Sequence, residues 1–278
     1  MQIAVASGKG GTGKTTVAVS LALAASDFMA VQLLDCDVEA PNCHIFMEPD
    51  LKSEEICFLE VPEVIEEKCT YCKKCMELCQ FNALTVFGKT IMVFKDMCHG
   101  CGGCFLICPE HAFKKDSREI GTIVRGEGKK GVDFIQGRLR IGEAMAPPLI
   151  KRMRKMASQE KLVILDAPPG TTCPVINTVR GADYTLLVTE PTPFGFHDLK
   201  LAAGVLQKLE QPFGIILNRS DLGYEQVEKW CQEHSIPIHL KIPFDQNIAK
   251  SYAKGYALVE AVPAYNEQFT NLVKELLK

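Results

Sequence analysis

Cysteine is unevenly distributed along this chain of 278 residues, and the distribution limits the folds that the chain can adopt. Eight of the 13 cysteines lie between Cys69 and Cys108, and the other five are scattered singly. The N-terminus lacks the features of a secretion signal, so we expect a cytoplasmic protein whose thiols serve metal or redox chemistry instead of disulfides. The middle of the chain is therefore predicted to form a compact metal-binding module.

The segments on either side of these cysteines alternate short apolar runs with helical patterns. Runs rich in Val, Ile and Leu lie at 2–7, 31–37, 162–168, 184–191, 213–219 and 237–243, and helical patterns cover 14–26, 148–158, 198–210 and 224–234. Strands buried on both faces and joined by right-handed helical crossovers form a doubly wound, mostly parallel α/β sheet. We predict one such domain from residues 1–59 and 119–278, with residues 60–118 inserted as an α+β module.

A glycine-rich loop lies between the first predicted strand and the first predicted helix. It matches G-x-x-x-x-G-K-[ST], whose backbone N–H groups and following helix bind nucleotide phosphates. Lys14 is predicted to reach the β- and γ-phosphates, and the Thr15 hydroxyl is predicted to bind Mg²⁺. The predicted phosphate-binding residues are Gly8, Lys9, Gly10, Gly11, Thr12, Gly13, Lys14, Thr15 and Thr16.

The same loop contains a second lysine, Lys9. The sequence Gly-Lys-Gly-Gly-x-Gly-Lys-Thr resembles the deviant Walker A loop of the MinD/ParA family of ATPases, which includes the nitrogenase iron protein and the Mrp-type cluster carriers. In that family the extra lysine contacts nucleotide phosphate across a dimer interface. The resemblance implies a homodimer that encloses ATP, with Lys9 acting in trans. A solvated loop lysine is the alternative.

Two aspartates end predicted strands at the carboxyl edge of the sheet, where α/β proteins bind ligands. Residues 35–42 resemble the family's switch I, which implies that Asp37 lies near the attacking water and the metal. Residues 162–170 resemble Walker B and switch II, which implies that Asp166 holds Mg²⁺ through water.

Two later strand ends resemble the family's segments around adenine. The resemblance implies that Asn218, Pro243 and Asp245 enclose the base, although plain strand ends followed by turns are the alternative. His197 and Asp198 are predicted to start the helix of residues 198–210 and to take no part in catalysis.

The eight central cysteines form two runs with the spacing C-x2-C-x2-C-x3-C. Bacterial ferredoxins with two [4Fe–4S] clusters have this spacing, and the fourth cysteine of each run binds the other cluster. The predicted ligand sets are Cys69, Cys72, Cys75 and Cys108 for one cluster, and Cys98, Cys101, Cys104 and Cys79 for the other. Zinc is the competing metal, because thiolate sets also bind it.

Together the motifs resemble MinD-superfamily ATPases that carry an inserted ferredoxin domain. This resemblance implies that Mg-ATP hydrolysis switches a dimer and changes the contact of the module with a redox or client protein. We predict ATP-gated electron transfer; assembly or insertion of a metal cluster is the alternative, and a ParA-like positioning ATPase is a second one. The formal net charge of -3 argues against nucleic-acid binding. No apolar run has the length of a membrane span, so we expect no membrane partner.

Overall fold

The computed structural model describes residues 1–278 and contains eleven strands and eleven α-helices. The strands are β1 (Gln2–Ala6), β2 (Val31–Asp35), β3 (Asp50–Val64), β4 (Leu84–Phe87), β5 (Thr90–Val93), β6 (Phe113–Glu127), β7 (Asp133–Leu139), β8 (Leu162–Asp166), β9 (Tyr184–Thr189), β10 (Phe213–Asn218) and β11 (Ile238–Ile242). The helices are α1 (Lys14–Ala25), α2 (Cys43–Met47), α3 (Lys74–Leu78), α4 (Gly103–Ile107), α5 (Ala146–Arg154), α6 (Cys173–Val179), α7 (Pro193–Lys208), α8 (Gln226–Glu233), α9 (Gln246–Tyr252), α10 (Leu258–Ala261) and α11 (Ala264–Leu276).

Nine strands form one sheet in the order β11-β10-β9-β1-β8-β2-β7-β6-β3. The seven strands from β11 to β7 are parallel, β6 is antiparallel to β7, and β3 is antiparallel to β6. Strands β2 and β8 are buried along their whole length, because helices cover both faces of the sheet. Two apolar cores result, with α1 and α11 on one face and α5, α6, α7 and α8 on the other. The predicted mostly parallel α/β sheet is confirmed.

Three sheet strands were absent from the sequence prediction: β3, β6 and β7. Strands β3 and β6 have 15 residues each and pair from Asp50–Glu127 to Val64–Phe113. Much of β3 is polar and exposed, so it lacks the continuous apolar run of a central strand. We call this strand pair the β3–β6 hairpin, and the predicted module limits at residues 60 and 118 fall inside its strands. Residues 65–112 connect the two strands and contain α3, β4, β5 and α4. The division into domains stays a prediction.

The start of α7 differs from the predicted start at His197 and Asp198. The helix begins at Pro193, because Thr192 Oγ1 accepts a hydrogen bond from the N–H of Gly195 at 2.9 Å. A threonine cap followed by proline at the first helical position is a strong start signal. The prediction was wrong by about one turn, and both residues lie inside the helix.

Helix α11 packs on α1 through buried side chains of Tyr265, Phe269, Leu272 and Val273. None of the helices combines the length and the apolar character required to cross a lipid bilayer.

The burial of Phe269 predicts a large effect of its truncation on stability. Phe269→Ala should lower the free energy of unfolding by about 3–5 kcal/mol, because it removes a fully buried ring between α11 and α1. Phe194 is 80% exposed, and Phe194→Ala should change it by less than ~0.5 kcal/mol. Urea unfolding measures both values. Equal losses would contradict the packing of α11.

Candidate functional site

The loop between β1 and α1 has a backbone that only glycine adopts at low cost. Gly11 and Gly13 have φ values of 79° and 95°. A Cβ atom on Gly13 would lie 2.6 Å from Asn218 Nδ2, and that amide donates a hydrogen bond to the carbonyl oxygen of Thr12 at 2.8 Å. The loop is therefore held open at the N-terminus of α1, where backbone N–H groups are free to bind an anion.

Thr15 and Asp166 join this loop to the carboxyl end of β8. Thr15 Oγ1 donates a hydrogen bond to Asp166 Oδ2 at 2.7 Å. Asp166 is fully buried, and its other oxygen, Oδ1, has no hydrogen-bond partner. A buried carboxylate oxygen without a partner is costly, and a cation would compensate it. A hydroxyl and a carboxylate are oxygen ligands of the kind that Mg²⁺ prefers, so these residues fit the predicted ion.

Asp35 is a buried acid that the sequence prediction did not assign to the site. It is the register partner of Asp166 on the adjacent strand, and its Oδ2 accepts hydrogen bonds from the N–H groups of Asn42 (3.0 Å) and Cys43 (2.9 Å). Cys43 Sγ donates to Asp166 Oδ2 at 3.3 Å. One ligand atom from each of Asp35, Cys43 and Asp166 lies within 4.8 Å of the others. The sequence feature that could have pointed to Asp35 is its position at the end of a buried strand, which it shares with Asp166.

The carboxyl groups at this strand edge oppose one another's ionisation. Burial raises the pKa of Asp35 well above its usual range, and the neighbouring Asp166 adds to the effect. Burial also raises the pKa of Asp166. For Asp37, burial and the proximity of Asp166 raise the pKa to about 6. The site is therefore short of positive charge and suited to a cation.

Lys9 lies against an acidic side chain of its own chain. Its Nζ is 3.6 Å from Glu190 Oε2, and Arg219 Nη1 is 3.1 Å from Glu190 Oε1. The Lys9 side chain is 32% exposed, whereas that of Glu190 is only 9% exposed. A buried carboxylate thus holds both cations beside the loop. The predicted role of Lys9 in trans stays a prediction.

A cavity of about 220 Å³ opens beside the phosphate loop and contains the three residues predicted for adenine. Asn218, Pro243 and Asp245 line it together with Phe244 and Tyr252. Asp245 also caps α9, since its Oδ1 accepts a hydrogen bond from the N–H of Asn247 at 2.6 Å. The two aromatic side chains provide apolar surface for a planar base. Phe244 lies within the strand-end segment that resembles the family's adenine site, whereas no sequence motif marked Tyr252.

The eight central cysteines line two adjoining cavities, formed by residues 65–112 together with Glu60 and Pro62 of β3 and Phe113 of β6. Residues of the first predicted set line one cavity: Cys69, Cys72, Cys75 and Cys108. Residues of the second predicted set line the other: Cys98, Cys101, Cys104 and Cys79. Cys75 lies between the cavities and lines both. In each cavity the fourth cysteine comes from the opposite run, and all 13 cysteines are free thiols.

Two of these cysteines are carried inward by short helices. Cys75 lies on α3 and Cys104 on α4, and both are buried. Burial raises the pKa of Cys104 to about 11 and also raises that of Cys75. A metal with a preference for thiolate sulfur would reverse these shifts by stabilising the deprotonated form. The donor sets fit iron–sulfur clusters, and metal binding here stays a prediction.

Comparison with known proteins identifies a family whose model spans the phosphate loop, most of the chain and the cavity beside the loop. Residues 3–259 match the family model described as the CobQ/CobB/MinD/ParA nucleotide binding domain. The chain belongs to this nucleotide-binding family. An uncharacterized protein of Methanocaldococcus jannaschii is 34% identical over 279 residues, which cover 99% of this chain and 96% of that protein.

The chain is also similar to a curated iron-sulfur cluster carrier protein and to a solved MinD structure. An iron-sulfur cluster carrier protein of Pyrococcus horikoshii is 26% identical over 99% of this chain and 87% of its own length. The septum site-determining protein MinD of Pyrococcus horikoshii, solved in complex with Mg-ADP, superimposes with a TM-score of 0.58 at 18% identity. That alignment covers 99% of this chain and 95% of the MinD chain, so the two share the family fold.

The raised pKa of Asp37 predicts a pH-dependent stability of the nucleotide-free protein. Between the ordinary value of 3.8 and about 6, the folded chain retains a proton that the unfolded chain has lost. The free energy of unfolding therefore falls as pH rises through this range. Asp37→Asn cannot ionise, so its stability relative to the wild type should increase from about pH 4 to pH 6 and then level off. Urea unfolding across this range measures the difference, and parallel profiles would contradict the raised pKa.

Proposed function

We propose that this protein is a Mg-dependent ATPase whose nucleotide site controls two resident [4Fe–4S] clusters, for ATP-gated electron transfer to a partner protein. The observation that carries the proposal is the pairing of two sites in one chain. One is a phosphate loop beside a buried carboxylate oxygen that lacks a partner. The other is a pair of cavities lined by eight cysteines at ferredoxin spacing, one by the first predicted set and the other by the second set together with Cys75.

The nucleotide half of the function follows from the residues at the carboxyl edge of the sheet. The loop N–H groups and Lys14 bind the β- and γ-phosphates, and Asp37 orients a water molecule toward the γ-phosphorus. Attack by this water breaks the bond between the γ-phosphorus and the β–γ bridging oxygen and yields ADP and phosphate. Mg²⁺, held by Thr15 and Asp166, would supply neutralisation of the phosphate charge.

The cysteine half of the function is supported by the exchange of ligands between the two runs. Cys108 lines the cavity of the first run and Cys79 that of the second, which is the pattern of two-cluster ferredoxins. A zinc site has no need for a fourth ligand from the other run, because one compact set of four thiolates completes its tetrahedron. When bound, each cluster would supply one-electron redox chemistry.

Electron transfer fits the burial of the thiols better than delivery of a cluster does. Cys75 and Cys104 are buried, which favours retention, whereas Cys72 and Cys101 are exposed and bring each site to the surface. A redox partner docking there would lie close to both clusters. Cluster assembly or insertion is the second candidate, and the relatives named iron-sulfur cluster carrier proteins favour it. Retention of iron through many ATP turnovers in the presence of an apo-acceptor supports electron transfer, and its loss supports the carrier.

A nucleotide-dependent homodimer completes the proposal. Lys9 is partly exposed at the loop, so it is available to contact a nucleotide held by a second copy of the chain. Exchange of the contact with Glu190 for one with phosphate would replace one ion pair with another. We place the protein in the cytoplasm, where thiols stay reduced, and we propose neither nucleic acid nor membrane as a partner.

The cluster assignment predicts the metal content of the protein purified without oxygen. Each chain should contain about eight iron and about eight sulfide atoms, four of each per cluster. Cys104→Ser should lower both contents by about half, because it removes one ligand of the second set. Cys173→Ser is the matched control, since Cys173 is exposed and lies outside both cavities. A colourless protein that contains zinc would contradict the proposal.

The proposed role of Lys9 predicts a change in ATP-dependent dimerisation. Lys9→Ala should weaken the dimer formed with ATP by about tenfold or more, because it removes a charge-assisted contact with phosphate. Lys14→Ala should give no ATP-dependent dimer, and Lys52→Ala, at an exposed ion pair on the hairpin, should behave as the wild type. Sedimentation velocity measures the three variants. An unchanged dimer in Lys9→Ala would refute the role in trans.

A further inference from the structure

A buried ion pair joins β6 of the β3–β6 hairpin to the segment that follows β7, close to the start of the second cysteine run. The side chains of Arg118 on β6 and Glu143 after β7 are only 7% and 1% exposed. Arg118 Nη1 contacts Glu143 Oε2, and Nη2 contacts Oε1 at 3.2 Å. The contact uses both terminal nitrogens of Arg118, whereas its buried Nε has no hydrogen-bond partner. Breaking a buried pair by removing one partner is strongly destabilising, so this two-point contact restricts the movement of the two segments that it joins.

Arg118 also contacts the segment that begins the second cysteine run. Arg118 Nη2 also donates a hydrogen bond to the carbonyl oxygen of Cys98 at 3.2 Å. Cys98 begins the second run and lines the second cavity. The cysteines of the first set have no such link, and the hydrogen bond accepted by Cys108 Sγ comes from Ala112 in the same module.

Glu143 belongs to a segment that contacts switch I, the segment that contains Asp37. The N–H of Leu139, at the end of β7, donates to the carbonyl oxygen of Val38 at 2.9 Å. Four residues later the chain reaches Glu143, after a turn in which the N–H of Glu143 donates to the carbonyl oxygen of Arg140 at 3.0 Å. A displacement of the backbone at Asp37 and Val38 therefore acts directly on the segment that holds Glu143.

The same segment is connected to switch II, the stretch that follows Asp166. Glu143 Oε1 accepts a hydrogen bond from the N–H of Met145 at 2.9 Å, and α5 begins at the next residue. Helix α5 packs on α6, and Arg154 of α5 donates to the carbonyl oxygen of Thr178. Helix α6 begins at Cys173, directly after the loop that leaves β8. Switch I thus contacts residues 139–145 directly, whereas switch II is connected to them through α6 and α5.

We propose that Arg118 is a positioning residue that transmits the nucleotide state of both switch segments to Cys98, and so to the second [4Fe–4S] cluster only. The proposal rests on the function proposed above. A change at the γ-phosphate moves residues 139–145, and the rigid contact between Glu143 and Arg118 carries the movement to the carbonyl of Cys98. Energetic coupling between two distant sites is carried by packed, hydrogen-bonded contacts of this kind.

Hydrogen–deuterium exchange on the anaerobic holoprotein tests this role. A non-hydrolysable ATP analogue with Mg²⁺ should change exchange in residues 8–16 and in residues 96–104 of the wild type. In the double variant Arg118→Met/Glu143→Met, the response of 96–104 should be lost while that of 8–16 remains. Apolar replacement of both partners leaves no buried charge unpaired, and iron content should stay at the wild-type value.

Arg140→Gln is the matched control, because Arg140 also joins residues 139–145 to the module, through an exposed ion pair with Asp96 at 3.1 Å. It should keep both responses. Should the double variant fail to fold, Arg118→Lys keeps the charge but loses the fork that contacts Glu143 and Cys98 together, and its response at 96–104 should also fall.

The outcomes separate this inference from the proposed function. Wild-type protein without iron, or without a response in residues 8–16, would contradict the proposed function. A wild type that responds at 8–16 but not at 96–104 would overturn the role of Arg118. So would a folded double variant, or a folded Arg118→Lys, that keeps the full response at 96–104.

Discussion

The hydrogen bond from Thr15 to Asp166 is the contact on which the nucleotide site depends. It joins the first turn of α1 to the central strand β8 and leaves the second oxygen of Asp166 buried without a partner. Asp35 on the adjacent strand and Cys43 after it complete a buried group that favours a cation. Because these carboxyl groups are buried close together, we expect the site to change its charge and its contacts when phosphate and metal bind or leave.

The sheet extends from this site to the cysteine module without a flexible linker. Strands β7, β6 and β3 continue the sheet beyond β2, and the β3–β6 hairpin carries residues 65–112 at its end. The module therefore has a fixed attachment through backbone pairing, and the buried pair Arg118–Glu143 fixes it a second time near Cys98. Such rigidity is what a mechanical connection between two chemical sites requires.

The sequence predicted those parts of the molecule that are formed by residues close together in the chain. The phosphate loop needs glycines and a lysine in one continuous stretch, and the six apolar runs mark strands of a sheet whose two faces pack against helices. The hairpin strands were not predicted, since β3 gains its structure from pairing with β6 and not from an apolar pattern. Asp35, Cys43 and the Arg118–Glu143 pair were missed for a related reason: their partners are distant in sequence, and only the fold brings them together.

The central claim is that the nucleotide state of one site alters the clusters at the other. Redox titration of the anaerobic holoprotein, followed by electron paramagnetic resonance, tests it most directly. The account predicts that Mg-ATP changes the midpoint potential of at least one cluster in the wild type and leaves it unchanged in Lys14→Ala. Identical potentials with and without nucleotide in the wild type would contradict the account.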